Sequence, residues 1–145
     1  MIVTVSLTNG IACVAHGPKE ALLLVDRILR TEHTEWESTL AVGEVEYHTT
    51  PQGPFPNHQL CISVSPRAGL AALNYMDNDA EESIMNSFNP AHPLPEIDLI
   101  FSGSTGGVFP RTAAIPIQDA RAALIEWIET RRRPTCVQWR PYDSY

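Results

Sequence analysis

No stretch of this 145-residue sequence approaches the roughly 20 consecutive apolar residues that a membrane helix requires. The opening residues, Met1-Ile2-Val3-Thr4-Val5-Ser6-Leu7, carry neither a basic leader region nor a small-residue cleavage pattern. A helical membrane protein is excluded, and the cytoplasm is the expected compartment. Cysteine is scarce and odd in number: Cys13, Cys61 and Cys136 lie far apart, each beside apolar, strand-like residues. That excludes a disulfide framework and predicts buried free thiols.

Positive charge is missing from the middle. Residues 31–110 hold eleven acids and a single base, Arg67, whereas residues 1–30 hold two acids and three bases and residues 111–145 four acids and six bases. The net charge of −7 therefore belongs almost wholly to the central segment. Such a surface repels nucleic acid and anionic membrane at long range and attracts basic partners. The remaining composition, 43% apolar and 19% charged, is that of an ordinary folded protein, and the length suits one domain over residues 1–145.

Periodicity supplies the elements. Residues 2–7 and 11–15 are β-branched runs around Thr8-Asn9-Gly10, a hairpin signal. Residues 19–30 follow Gly17-Pro18 and place Leu22, Val25, Ile28 and Leu29 on one helical stripe. Strands are expected at 36–47, 59–65, 69–76, 83–88, 97–101 and 135–140, and a second helix at 117–131 with Ile117, Ala120, Leu124, Trp127 and Ile128 on its apolar face. Proline-rich stretches at 51–56 and 90–95 read as surface loops. No internal repeat is evident. The order predicts an α+β fold, an antiparallel β-sheet with two helices packed on one face.

Catalytic signatures are also absent. A zinc site is built from close pairs such as Cys-x-x-Cys or His-x-x-x-His, and His16, His33, His48, His58 and His92 form none. His58-x-x-Cys61 would fall on opposite sides of a strand. Neither a metal nor a cofactor is expected. Ser102-Gly103-Ser104-Thr105-Gly106-Gly107 lacks the lysine of a phosphate loop and reads as a turn, and no Gly-x-Ser-x-Gly elbow occurs. A cysteine or serine nucleophile meeting a histidine in space leaves a small hydrolase or ligand-binding enzyme as one alternative. Arg131-Arg132-Arg133 sits where cations suit a helix C-terminus and reads as a cap, while Trp36, Trp127 and Trp139 read as core.

What remains is acid. Asp77-Asn78-Asp79-Ala80-Glu81-Glu82 puts four carboxylates into six residues, which cannot be buried together and must form an exposed turn. A solvated face is the plain explanation, and an acidic adaptor or oligomerising subunit is another.

The C-terminal third adds a pattern. Phe109-Pro110-Arg111-Thr112-Ala113-Ala114-Ile115-Pro116-Ile117, a helix through Arg121, Leu124 and Trp127, then Arg132-Arg133-Pro134-Thr135-Cys136-Val137-Gln138-Trp139 together resemble the first-numbered immunity protein family of bacterial polymorphic toxin systems. The likeness is good over residues 97–140 and loose before. It implies an immunity-type α+β domain, without catalysis, that binds a cognate toxin domain, a nucleic-acid deaminase or a nuclease, and blocks its active site. The motif residues suggest a fold more than a site. Such a toxin presents a basic cleft, so Asp77, Asp79, Glu81 and Glu82 on the turn are the expected contacts, with Glu44 and Glu46 on a neighbouring strand face and Tyr75 as an aromatic anchor. The stretch 48–58 has no counterpart in that pattern and is either a second contact or a passive loop.

Overall fold

The computed structural model describes residues 1–47, 52–90, 95–102 and 105–142. Among the described residues the strands and α-helices are, in chain order, β1 (Ile2–Ser6), β2 (Ala12–His16), α1 (Gly17–Leu29), β3 (Ser38–Gly43), β4 (His58–Ser65), β5 (Leu70–Asp77), β6 (Ile84–Phe88), β7 (Ile115–Pro116), α2 (Ile117–Thr130) and β8 (Gln138–Pro141), with a 3-10 turn at Arg111–Ala113 before β7. The strands form one antiparallel sheet in the order β2-β1-β3-β4-β5-β6-β8, with β7 on the start of β5.

Two glycines set the first turns. Gly10 has φ +83° in the loop that returns β1 onto β2, and its N–H donates to the Leu7 carbonyl at 2.8 Å. Gly17 has φ +81° and swings the chain from β2 straight into α1, its N–H donating to the Met1 carbonyl at 2.9 Å. Both conformations are open to glycine without Cβ strain. Pro18 occupies the first turn of α1, where its missing N–H is not needed.

Strand alternation explains the layering. Val3 pairs with Val42, Val5 with Leu40, Leu40 with Leu60, Leu60 with Tyr75 and Ile62 with Leu73, so the middle of one sheet face is apolar, with the polar Ser38 and His58 at its ends. Both helices cover that face, α1 through Ala21, Leu24, Val25, Ile28 and Leu29, and α2 through Ala120, Ala123, Leu124, Trp127 and Ile128. The expected α+β arrangement is thus present. Leu22, expected on the buried stripe of α1, is 42% exposed at its edge because Ala21 and Leu24 face the sheet instead. The opposite sheet face is small and polar, with Thr4, Ser63, Asn74 and Asn86 buried, and Asn74 donates to Asn86 across β5 and β6 at 2.8 Å. Leu99, Phe109, Ala113 and Ala114 pack there against Ala72.

Several expected elements are corrected. The strand at 36–47 shrinks to Ser38–Gly43, because the Trp36 N–H donates to the Thr8 hydroxyl rather than to a ladder and its indole is 41% exposed, not core. Residues 97–101 make only an isolated bridge, Ile100 with Val108. The Phe109 N–H donates to Leu99 and the Phe101 N–H to Gly107, a tight reversal that packs these residues on Ala72. The last strand begins at Gln138, since the N–H groups of Thr135 and Cys136 are taken by the Glu126 carboxylate. Of the thiols, Cys61 is buried, Cys13 half-buried and Cys136 exposed. Parts of the two proline-rich loops and of the glycine-rich turn lie outside the described residues. No described helix is long and apolar enough to cross a membrane.

Candidate functional site

Antiparallel pairing sorts the candidate residues to one end of the sheet. Asp77 at the end of β5 faces His58 at the start of β4, and Gly43 at the end of β3 faces Ile2. The 77–82 turn, Glu44, Glu46, the N-terminus and the C-terminus of α2 therefore share that end. The turn is held by its own bonds: the Asp77 N–H donates to Ser83 at 2.8 Å, the Asp79 N–H to the Asp77 carboxylate at 2.9 Å, and Asn57 Nδ2 to the Asp79 carboxylate at 2.7 Å. Among the described residues none of Asp77, Asp79, Glu81 and Glu82 makes an ion pair. Asp79, Glu81 and Glu82 are exposed, and Asp77 is half-buried at the foot of the turn.

Glu44 and Glu46 differ from expectation. Both lie past the end of β3 rather than on a strand face, because the ladder stops at Gly43. Glu44 accepts from the Arg131 guanidinium and stands 3.5 Å from the N-terminal ammonium, and Arg131 holds its carboxyl below the ordinary range. Glu46 lies 3.8 Å from His16.

Tyr75 is not a protruding anchor. It is 3% exposed and belongs to the helix-side core, since its position in β5 alternates with outward Asn74 and Met76. Its hydroxyl is buried and, among the described residues, no group meets it in ordinary hydrogen-bond geometry, although the Asp77 carboxylate is near enough to act on it. Burial, together with the nearby Asp77 carboxylate, pushes the phenol up to about 12. Around it stand His58 at 6.4 Å and Trp139 at 6.1 Å between ring centres, and Trp127 donates its indole N–H to His58 at 3.3 Å.

Above this aromatic floor opens a hollow of about 480 Å³. Asp77, Ala80 and Glu82 form one wall, and Arg132, Arg133, Pro134, Thr135, Val137 and Trp139 the other. The second wall is the motif that the resemblance rested on. Its shape comes from α2: Glu126 accepts the Thr135 hydroxyl and the Cys136 N–H at 3.2 Å, and Pro134 accepts the Trp139 indole N–H at 2.7 Å. Hydrogen bonding to this loop holds the Glu126 carboxyl below its ordinary value. The arginine run caps α2 only through the Arg131 backbone, which takes a left-handed turn at φ 57° and donates to Trp127. The side chains of Arg131 and Arg133 go elsewhere, to Glu44 and to the Met85 sulfur. Sequence reasoning thus did not place Arg132, Arg133 and Trp139 beside the acidic turn. The motif marked them, but the β5-β6-β8 order that brings them to Tyr75 is not local information.

Catalytic geometry is poor. The Cys61 thiol is buried and pushed up to about 11 by that burial, and it sits on the face away from His58. His33 Nε2 and the Ser38 hydroxyl meet at 2.7 Å, the spacing of a nucleophile and its base, with His33 Nδ1 donating to the Thr31 carbonyl at 2.8 Å. Ser38 is fully buried and His33 nearly so, and neither lines a described hollow. Burial holds the His33 ring below its usual value. No group of three or more His, Cys, Asp and Glu among the described residues is placed to share a metal ion.

No curated protein matches the chain. The family model described as immunity protein Imm1 matches residues 9–141, which extends the likeness from the C-terminal third to nearly the whole sequence. The chain belongs to the Imm1 family of immunity proteins.

Proposed function

We propose that this immunity protein works in the cytoplasm of the cell that makes it, where it binds a cognate toxin domain acting on nucleic acid, a deaminase or a nuclease, and covers the toxin's basic active-site surface. It does so without chemistry of its own. The observation that carries this reading is the 77–82 turn, in which four carboxylates stand on a hydrogen-bonded hairpin with no described cation paired to them. A cleft built to grip phosphates offers arginine and lysine at fixed spacing, and carboxylates on a rigid edge can take the phosphate positions. Their long-range field also steers encounter, which raises association rates by about 10- to 1,000-fold at low salt. Asp77, Asp79, Glu81 and Glu82 are the main contacts, and Glu44 and Glu46 extend the negative field along the same end.

The test is capture of partners from native extract at low salt, followed by association kinetics across a salt series. A basic toxin domain recovered near one-to-one, associating more slowly as salt rises, supports the reading. Recovery of only further copies of this chain, or kinetics indifferent to salt, refutes it.

A further inference from the structure

We infer that the hollow between the 77–82 turn and the 132–139 segment is a receptor for one arginine side chain of the bound toxin domain, its guanidinium lying against Trp139 and hydrogen-bonded to Asp77, Glu82 and the Tyr75 hydroxyl. The inference rests on the toxin-facing reading of this end of the sheet and names the contact at its centre.

Two independent observations converge here. The first is the acidic wall: Asp77 and Glu82 border the hollow with no described ion pair. The second is Tyr75, nearly fully buried, with a hydroxyl that no described group satisfies. A buried hydroxyl without a partner is a standing cost to the free protein, and an incoming donor removes that cost. The hydroxyl can donate as well as accept, and with the Asp77 carboxylate acting on its O–H, what the hollow offers an incoming donor is the hydroxyl oxygen.

The chemistry of its lining selects the ligand. A carboxylate would meet Asp77 and Glu82 at close range, and an apolar group would leave the Tyr75 oxygen unpaired. A guanidinium has only donors, in a planar fork that spans two acceptors, and it stacks on an indole face. Arg132 and Arg133 on the opposite wall do not reverse this preference. Both are exposed, and Arg133 turns its guanidinium to the Met85 sulfur. At the Tyr75 oxygen the influence of Asp77 outweighs that of Arg133. Lysine, a single point charge without a planar face, uses less of the site.

The experiment titrates the isotopically labelled full chain with N-acetyl-arginine amide, and with the lysine and glutamine amides as controls. The Trp139 indole N–H and the backbone signals of residues 77–82 are followed by NMR. Arginine should produce a saturable shift, lysine a weaker one and glutamine none, and Asp77→Asn should weaken arginine binding roughly tenfold, the size of one charge-assisted bond. Tyr75→Phe should weaken it too while leaving the melting temperature of the free protein unchanged or higher. No saturable shift with arginine, an equal response to glutamine, or a lowered melting temperature in Tyr75→Phe would overturn the inference, the last because the hydroxyl would then already have a partner. A saturating arginine titration beside a capture that returns no toxin upholds the receptor and removes only its proposed owner.

Discussion

The two ends of the sheet use polar groups in opposite ways. At the end where β4 turns into β5, Glu32 accepts the Ser65 hydroxyl at 2.7 Å and the Arg67 N–H at 3.2 Å. There too the His33 backbone donates to Val64, and its ring joins Thr31 and Ser38. At the other end, four turn carboxylates have no described ion partner and the Tyr75 hydroxyl has no described hydrogen-bond partner. Charge at the first end is consumed in folding. At the second end the turn carboxylates are left without a counter-charge by the fold, which is what the proposed docking surface requires.

The sharpest way to break that contrast is to reverse the second end. Changing Asp77, Asp79, Glu81 and Glu82 together to Lys should slow association with the captured toxin domain by roughly 100-fold at low salt and flatten or invert its salt dependence. The free protein should lose about 1–2 kcal/mol, well short of the loss in binding, because only the two hydrogen bonds to the Asp77 and Asp79 carboxylates within the turn are given up. Stopped-flow association across a salt series and a denaturant melt measure both sides. Equal losses in binding and stability would erase the distinction between the ends.

The complementary change is Glu32→Ala. It strips a carboxylate from a hydroxyl and an N–H that both depend on it, and should cost about 2 kcal/mol of stability by denaturant melt. Association with the toxin domain should be unaltered, since Glu32 lies at the far end of the strands. A slowed association without loss of stability would show that the partner reaches around the sheet.

How much of this was legible in the sequence depends on range. The first hairpin, the β4-β5 hairpin and both helices were readable because each is set by neighbours within a few positions: Gly10 for the turn, Pro66 to Gly69 for the second turn, and spacings of three and four for Ala120, Leu124, Trp127 and Ile128. The acidic turn was readable because four carboxylates forbid burial. The hollow was not, since it depends on β6 pairing with both β5 and β8, which carries Trp139 across to Tyr75. Tyr75 misled for the same reason: beside an acidic turn it reads as exposed, and only the register with Leu60 places it on the helix-covered face. Residues 97–101 misled because Ile97, Leu99 and Phe101 alternate as a strand would, yet they pack as a loop on a second small cluster.

His33 gives the contrast a pH signature. The Thr31 carbonyl can only accept, so His33 Nδ1 carries the proton and Nε2 accepts from Ser38. Protonation would reverse the second bond and leave the buried Ser38 O–H without its acceptor, and burial already holds the ring below its ordinary value of 6.5. The unfolded chain therefore binds the proton more readily, so this contribution is complete above about pH 6.5 and declines as pH falls below it, by at most about 1.4 kcal/mol per pH unit. Melting temperatures between pH 7.5 and 5.5 should fall more steeply for the native protein than for His33→Gln. Identical slopes would mean that the ring is not held neutral.

Glu44 is the smallest effect and the finest test, because it stands at the acidic end of the sheet yet is partnered like the residues of the other. It is exposed to solvent, but Arg131 and the N-terminal ammonium both lie against it. A carboxylate already neutralised by two cations contributes little outward field, and an exposed pair adds little to stability. Glu44→Gln should therefore leave the melting temperature unchanged and reduce the low-salt association rate less than Asp79→Asn does, although both remove one negative charge from the same end. If the two substitutions slow association equally, proximity to the partner decides which acids matter. If Glu44→Gln is the milder, the deciding property is whether the fold has already paired the charge.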